Sequence, residues 1–159
     1  MTFPKIKGKT VNGERRTLPE DFEGHYQVVV LAFTKYQQAD VDSWMPFLNN
    51  LKRHNSQLQV YEVPVIERMF FFKRMLLDTW MYNGIDDPDV RNRTITLYTN
   101  VSEFLKSLNL THIETIYTLL MDNQGTVYWR GSGPYNENRG SDLMLKLRLL
   151  EPQSAQSGA

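Results

Sequence analysis

Val28-Val29-Val30-Leu31-Ala32-Phe33-Thr34-Lys35-Tyr36-Gln37-Gln38-Ala39-Asp40-Val41-Asp42-Ser43-Trp44-Met45-Pro46-Phe47-Leu48 decides how the rest of this chain is read. Its first residues continue a β-branched run from Gln27 to Phe33, the mark of a central strand covered on both faces. Polar residues then break the run. From Trp44 onward, Trp44, Phe47, Leu48 and Leu51 recur at helical spacing, which predicts a helix to about His54, with Asp40 or Asp42 as its cap. The segment is a buried strand, a short turn and a helix. It carries no cysteine, and neither does any other part of the chain.

On the N-terminal side, residues 5–20 read as a polar hairpin, with Val11-Asn12-Gly13-Glu14 as the turn. Leu18-Pro19-Glu20-Asp21-Phe22-Glu23-Gly24 reads as a short turn or a single helical turn. On the C-terminal side, Leu58–Val65 reads as a second core strand ending at Pro64, so the strand–helix–strand unit implies a parallel pair with a right-handed crossover. Residues 65–82 are mostly apolar and hold neither glycine nor proline, which predicts a long helix. At about 100° per residue, Ile66, Met69, Phe70, Leu76, Leu77, Trp80 and Met81 form its apolar face. Phe71, Met75 and Tyr82 fall among the charges instead. Thr94–Tyr98 reads as a strand, Val101–Leu110 as a short helix capped by Asn100, and Ile116–Met121 with Thr126–Trp129 as a hairpin through Asp122-Asn123-Gln124-Gly125. Asn136–Leu150 is the expected closing helix. The domain expectation is one unit over residues 1–150, with a disordered polar tail at 151–159.

Composition excludes whole classes of function. A chain of 159 residues is long enough to bury a core in one domain. Its 18 basic and 18 acidic residues cancel, so no global field favours nucleic acid or an anionic membrane. Without cysteine there is no disulfide, thiolate metal site or thiol nucleophile. Met1 to Thr10 has lysines without an apolar run behind them and does not read as a secretory signal. The longest apolar run, Val28 to Phe33, is far short of the about 20 residues that span a bilayer. The expected location is cytoplasmic, or an organellar matrix after removal of a leader.

The order β-hairpin, β, α, β, long α, β, α, β-hairpin, α resembles the thioredoxin-like fold. This implies an α/β domain whose central mixed sheet is flanked by helices, with an N-terminal hairpin extension and an enlarged central helical insertion. In the thiol-reductase and peroxiredoxin groups, cysteine stands at one or both of the positions held here by Gln38 and Val41. Thioredoxins also place a cis-proline before the penultimate strand. The matching position here is Ile116 or Thr115, and a cis bond at a non-proline residue costs about 2.5–4 kcal/mol, so a trans peptide is expected. Leu18-Pro19, Phe22 and Gly24, Tyr117-Thr118-Leu119-Leu120-Met121-Asp122-Asn123-Gln124-Gly125 and Tyr128-Trp129-Arg130-Gly131-Ser132-Gly133 carry a narrower likeness. They resemble the mitochondrial ATP synthase assembly factor family. That resemblance implies a non-enzymatic, redox-inactive role as an assembly factor or chaperone, with a protein partner such as a membrane-complex subunit and no cofactor.

Candidate sites follow from residue type. Trp129 and Arg130 sit on an expected edge strand, point to opposite faces and belong to the types that anchor interfaces. The bland alternative is a core tryptophan beside a surface arginine. Tyr36, Gln38 and Asp40 occupy the turn where a redox site would lie. Phe71, Met75 and Tyr82 form either a covered stripe or an exposed seam for a partner helix. A second functional reading is a cysteine-independent enzyme or small-molecule binder using the cleft near Tyr36–Asp40. No catalytic residue or metal ligand is assigned. His25, His54 and His112 lack ligand spacing, Asp86-Asp87-Pro88-Asp89 fails the calcium-loop pattern, and Gly131-Ser132-Gly133-Pro134 lacks the lysine and threonine of a phosphate loop.

Overall fold

The computed structural model describes residues 1–68 and 93–150. Strands β1 (Ile6–Thr10) and β2 (Arg15–Leu18) form the hairpin, followed by β3 (Tyr26–Ala32). A 3-10 turn at Lys35–Gln37 runs into α1 (Gln38–Arg53), then β4 (Leu58–Glu67), β5 (Ile95–Thr99) and α2 (Val101–Ser107). The order closes with β6 (Tyr117–Asp122), β7 (Val127–Ser132) and α3 (Glu137–Leu150). The seven strands make one mixed sheet in the order β2-β1-β5-β4-β3-β6-β7. β3, β4 and β5 run parallel, and the flanking pairs are antiparallel.

The β-branched run earns its central place. Val28, Val29, Val30 and Leu31 are all fully buried, alternating between two cores. One core lies under α1 and α3 and holds Val28, Val30, Trp44, Leu48, Leu143 and Leu147. The other lies under α2 and holds Val29, Leu31, Phe3, Phe22, Phe104 and Leu108. Burying one such side chain is worth about 1.5–3 kcal/mol, so this strand anchors both layers.

Several boundaries move. β4 does not stop at Pro64 but continues to Glu67, with Val65 opposite Leu97 and Ile66 opposite Tyr98. Val65–Glu67 therefore belong to the sheet rather than to a helix. Pro64 is tolerated because it stands at a joint: the ladder to β3 ends at Pro64, and the regular ladder to β5 begins at Val65. The rest of the expected long helix, with the enlarged insertion, lies outside the described residues, as does the 151–159 tail. The hairpin is not an appendage, since β1 pairs with β5 and makes β2 the sheet's outer strand. Its turn is as expected, with Gly13 at φ +86°, a value that glycine adopts without strain. Asn100 caps α2 by accepting the Glu103 N–H at 3.0 Å. Asp40 and Asp42 do not cap α1, because the helix already starts at Gln38 and both lie within it. Asp40 still meets the positive end of the helix dipole in the first turn.

Candidate functional site

The turn between β3 and α1 is held by a residue whose side chain points inward. Gln37 is buried, and its amide oxygen accepts the Phe33 N–H at 2.7 Å. Its amide nitrogen donates to the Ile113 carbonyl, also at 2.7 Å. One side chain thus ties the end of β3 to the loop before β6. The Phe33 N–H lies in a buried setting, where a backbone group without a partner is costly. The bond before Ile116 is trans, the one cis bond among the described residues being Leu18–Pro19.

This brace displays two apolar side chains. Tyr36 is 84% exposed and Ile113 is 41% exposed. The Lys35 ammonium stands 5.3 Å from the Tyr36 ring centre, within reach of a cation–π contact. The two positions at which the resemblance puts cysteine have parted company. Gln38 is exposed and donates to the Asp42 carboxylate at 2.9 Å, while Val41 is buried in the core under α1.

Beneath the first turn of α1 lies Glu62, on β4. It is half-buried and accepts from the Thr94 hydroxyl at 3.3 Å. Burial, and then the negative charge of Asp42, push its carboxyl above the usual range, against hydrogen bonds from Thr94 and Gln38. Gln38, Asp42, Glu62 and Thr94 therefore form one polar cluster. Asp40 is half-buried, with its carbonyl accepting the Ser43 hydroxyl at 2.6 Å.

Trp129 and Arg130 do point to opposite faces, and both make internal contacts. Trp129 meets Trp44 edge to face at 6.4 Å between ring centres. Its indole lies over Gly131, where a Cβ would come within 2.7 Å of the ring. Trp44 is fully buried and donates its Nε1–H to the Gly133 carbonyl at 3.1 Å, and it also meets Tyr135 and Phe47 edge to face. Arg130 is exposed, yet its guanidinium donates to the Leu108 and Asn109 carbonyls at 2.9 and 3.0 Å, closing the C-terminal end of α2. With His112, Thr115 and Tyr117 it borders a polar recess of about 250 Å³. Trp129 thus packs against the core while remaining partly accessible, and the exposed Arg130 braces a helix end.

Phe71, Met75 and Tyr82 lie outside the described residues. Among the described residues no three His, Cys, Asp or Glu side chains gather as metal ligands, and no helix is long and apolar enough to cross a membrane. Gln37, Ile113 and Glu62 are the additions. Glu62 had a signal in the sequence, being the lone carboxylate within Val60-Tyr61-Glu62-Val63-Pro64-Val65. Gln37 and Ile113 had none, because each is defined by a partner far along the chain.

Comparison with solved structures places the fold. BsSco, a member of the Sco family of cytochrome c oxidase assembly proteins, superposes with a TM-score of 0.64 at 15% identity, over 94% of this chain and 95% of that one. Arabidopsis thaliana ScoI with copper bound gives 0.64 at 12% identity, over 94% and 99%. StoA from Bacillus subtilis gives 0.56 at 13% identity, over 91% and 97%. These are thioredoxin-like structures, and at such identities the likeness is one of fold. Comparison with curated protein sequences finds no match. The ATP10 protein family model, in contrast, matches residues 1–149. A match over nearly the whole chain, on a thioredoxin-like sheet with no cysteine, shows that the chain belongs to the ATP10 protein family, a mitochondria-associated family of ATP synthase assembly factors.

Proposed function

We propose that this chain is a redox-inactive binding scaffold that assists ATP synthase assembly by holding a protein subunit, one from the membrane-embedded part of the complex, in an organellar matrix. The observation that carries this reading is Tyr36, exposed at 84% on a turn locked from within by Gln37. An aromatic side chain on a rigid support anchors a partner at small entropic cost. Ile113, whose carbonyl Gln37 holds, is a second exposed apolar residue on the brace, and no thiol is present to turn contact into chemistry. Trp129 and Arg130 support the reading less, because their strongest contacts are internal.

Capture of the tagged protein from mitochondria of its native host tests this. Recovery of an ATP synthase subunit with the wild type is expected, with loss from Tyr36→Ala/Ile113→Ser at unchanged thermal stability. Equal recovery from both would overturn the role of the turn. A second reading, a cysteine-independent enzyme or small-molecule site near Tyr36–Asp40, draws on Glu62, since a carboxyl shifted by burial beside a charged partner is a feature of reactive sites.

A further inference from the structure

The first sixteen residues hold Lys5, Lys7, Lys9, Arg15 and Arg16 against the single carboxylate of Glu14, in a chain whose charges cancel as a whole. The hairpin register sets Lys7 opposite Thr17 and Lys9 opposite Arg15. Residues directly opposed across two strands share a face, so Lys7, Lys9, Arg15 and Thr17 leave the sheet on one side. Arg68, just beyond β4, completes the cluster. Together with Arg16 these residues line a groove of about 540 Å³. The floor is fixed, since a Cβ on Gly8 would come within 2.7 Å of Ile95 and 2.8 Å of Leu97. β1 therefore lies tight against β5, and the lysines flanking Gly8 keep their spacing.

Among the described residues Arg16 pairs with Glu14 at 2.7 Å, and no ion pair is made by Lys7, Lys9, Arg15 or Arg68. Lys9 and Arg15 are like charges placed directly opposite, an arrangement that destabilises a strand pair. An anion seated between them relieves that repulsion.

The chemistry of the anion follows from the sheet edge. An acidic peptide would most simply add as a strand along β2, but that edge is occupied. The Asp21 carboxylate accepts the Thr17 N–H at 2.6 Å, and the Asp21 N–H donates to the Thr17 carbonyl at 2.8 Å. The Arg16 guanidinium covers the Arg15 carbonyl at 2.9 Å. A compact anion with several oxygens suits the site instead, because guanidinium forks match phosphate geometry and lysines add point charge. We propose that this groove binds a phosphate group, carried either by a soluble phosphoryl compound or by a phospholipid headgroup.

The test uses the full chain with two probes. Inorganic pyrophosphate is titrated calorimetrically, and phosphatidylcholine vesicles with and without phosphatidic acid are floated with the protein. Binding to at least one phosphate probe is expected, weakened about ten-fold or more by Lys7→Gln/Arg68→Gln. Arg53→Gln/Arg148→Gln, which removes the same charge from α1 and α3, is expected to bind as wild type. All four side chains belong to exposed residues, so the variants retain the fold, which thermal unfolding checks. Pyrophosphate binding alone identifies a soluble ligand, and binding to the acidic vesicles alone identifies a headgroup. The proposal falls if neither probe binds, if both double variants lose binding equally, if Lys7→Gln/Arg68→Gln binds undiminished, or if polyglutamate binds as tightly as pyrophosphate.

Discussion

Tyr36 and Trp44 belong to one continuous turn-and-helix segment, yet they lie at opposite extremes of exposure, 84% and 0%. Around Trp44 each group has a partner. Its Nε1–H reaches Gly133, Gly131 leaves room for the Trp129 indole, and Gly140 is so close to Tyr135 and Phe47 that a Cβ there would come within 2.7 Å of the first. Around Tyr36 the partners serve the backbone, and the aromatic ring is left outside. One half of the segment is devoted to stability and the other to display. The difference teaches that exposure of an apolar group carries meaning when the structure beneath it is rigid.

Substitutions can widen or collapse that contrast. Trp44→Ala is expected to have the largest effect, about 3–5 kcal/mol of stability in chemical denaturation, because it leaves a cavity among three rings and an unpaired Gly133 carbonyl. Gln37→Ala comes next, at about 1–3 kcal/mol, since it strips partners from Phe33 and Ile113 at once. Amide exchange at Phe33 is expected to accelerate with it, which separates a lost brace from general destabilisation.

Glu62 gives a smaller effect with a defined sign. Its folded-state pKa lies above its ordinary value of 4.5, so the native state holds the proton more tightly than the unfolded state. Stability contributed by that proton is present at low pH and declines as pH rises above 4.5 through the folded-state value. Glu62→Gln is therefore expected to be the more stable protein at pH 8, with the gain over wild type vanishing near pH 4. A gain that is independent of pH would show that ionisation is not its origin. Tyr36→Ala is expected to be the mildest, within about 0.5 kcal/mol, because an exposed side chain with no core contact contributes little. A larger loss would mean that Tyr36 belongs with Trp44 after all.

Much of this fold was legible from pattern. The run into Phe33, the helical spacing of Trp44, Leu48 and Leu51, the Asn100 cap and the Asn12-Gly13 turn are local signals with local causes, and each stands where the sequence predicts. Misjudged features depended on distance. Val65 and Ile66 fit a helix or a strand equally until Leu97 and Tyr98 are known to lie beside them. The inward-pointing Gln37 was missed because its partners, Phe33 and Ile113, give no sign of the brace in its immediate neighbourhood. The bracing bonds of Arg130 were not legible either, because the carbonyls it holds, on Leu108 and Asn109, lie outside its strand. The basic groove escaped notice for another reason: a balanced total of 18 and 18 conceals a local imbalance.

The placement of β1 also governs how the chain is made. Lys9 pairs with Thr96, Thr2 bridges to Thr126, and the Phe3 N–H donates to the Gly125 carbonyl at 2.7 Å. Residues 2–10 thus complete their pairing with β5 and with the β6–β7 turn only after those later segments have been made. Until Thr96 emerges, β1 can pair only with β2, as an isolated hairpin of marginal stability. Vectorial synthesis therefore cannot complete this sheet from its N-terminus, and the first strand docks among the last.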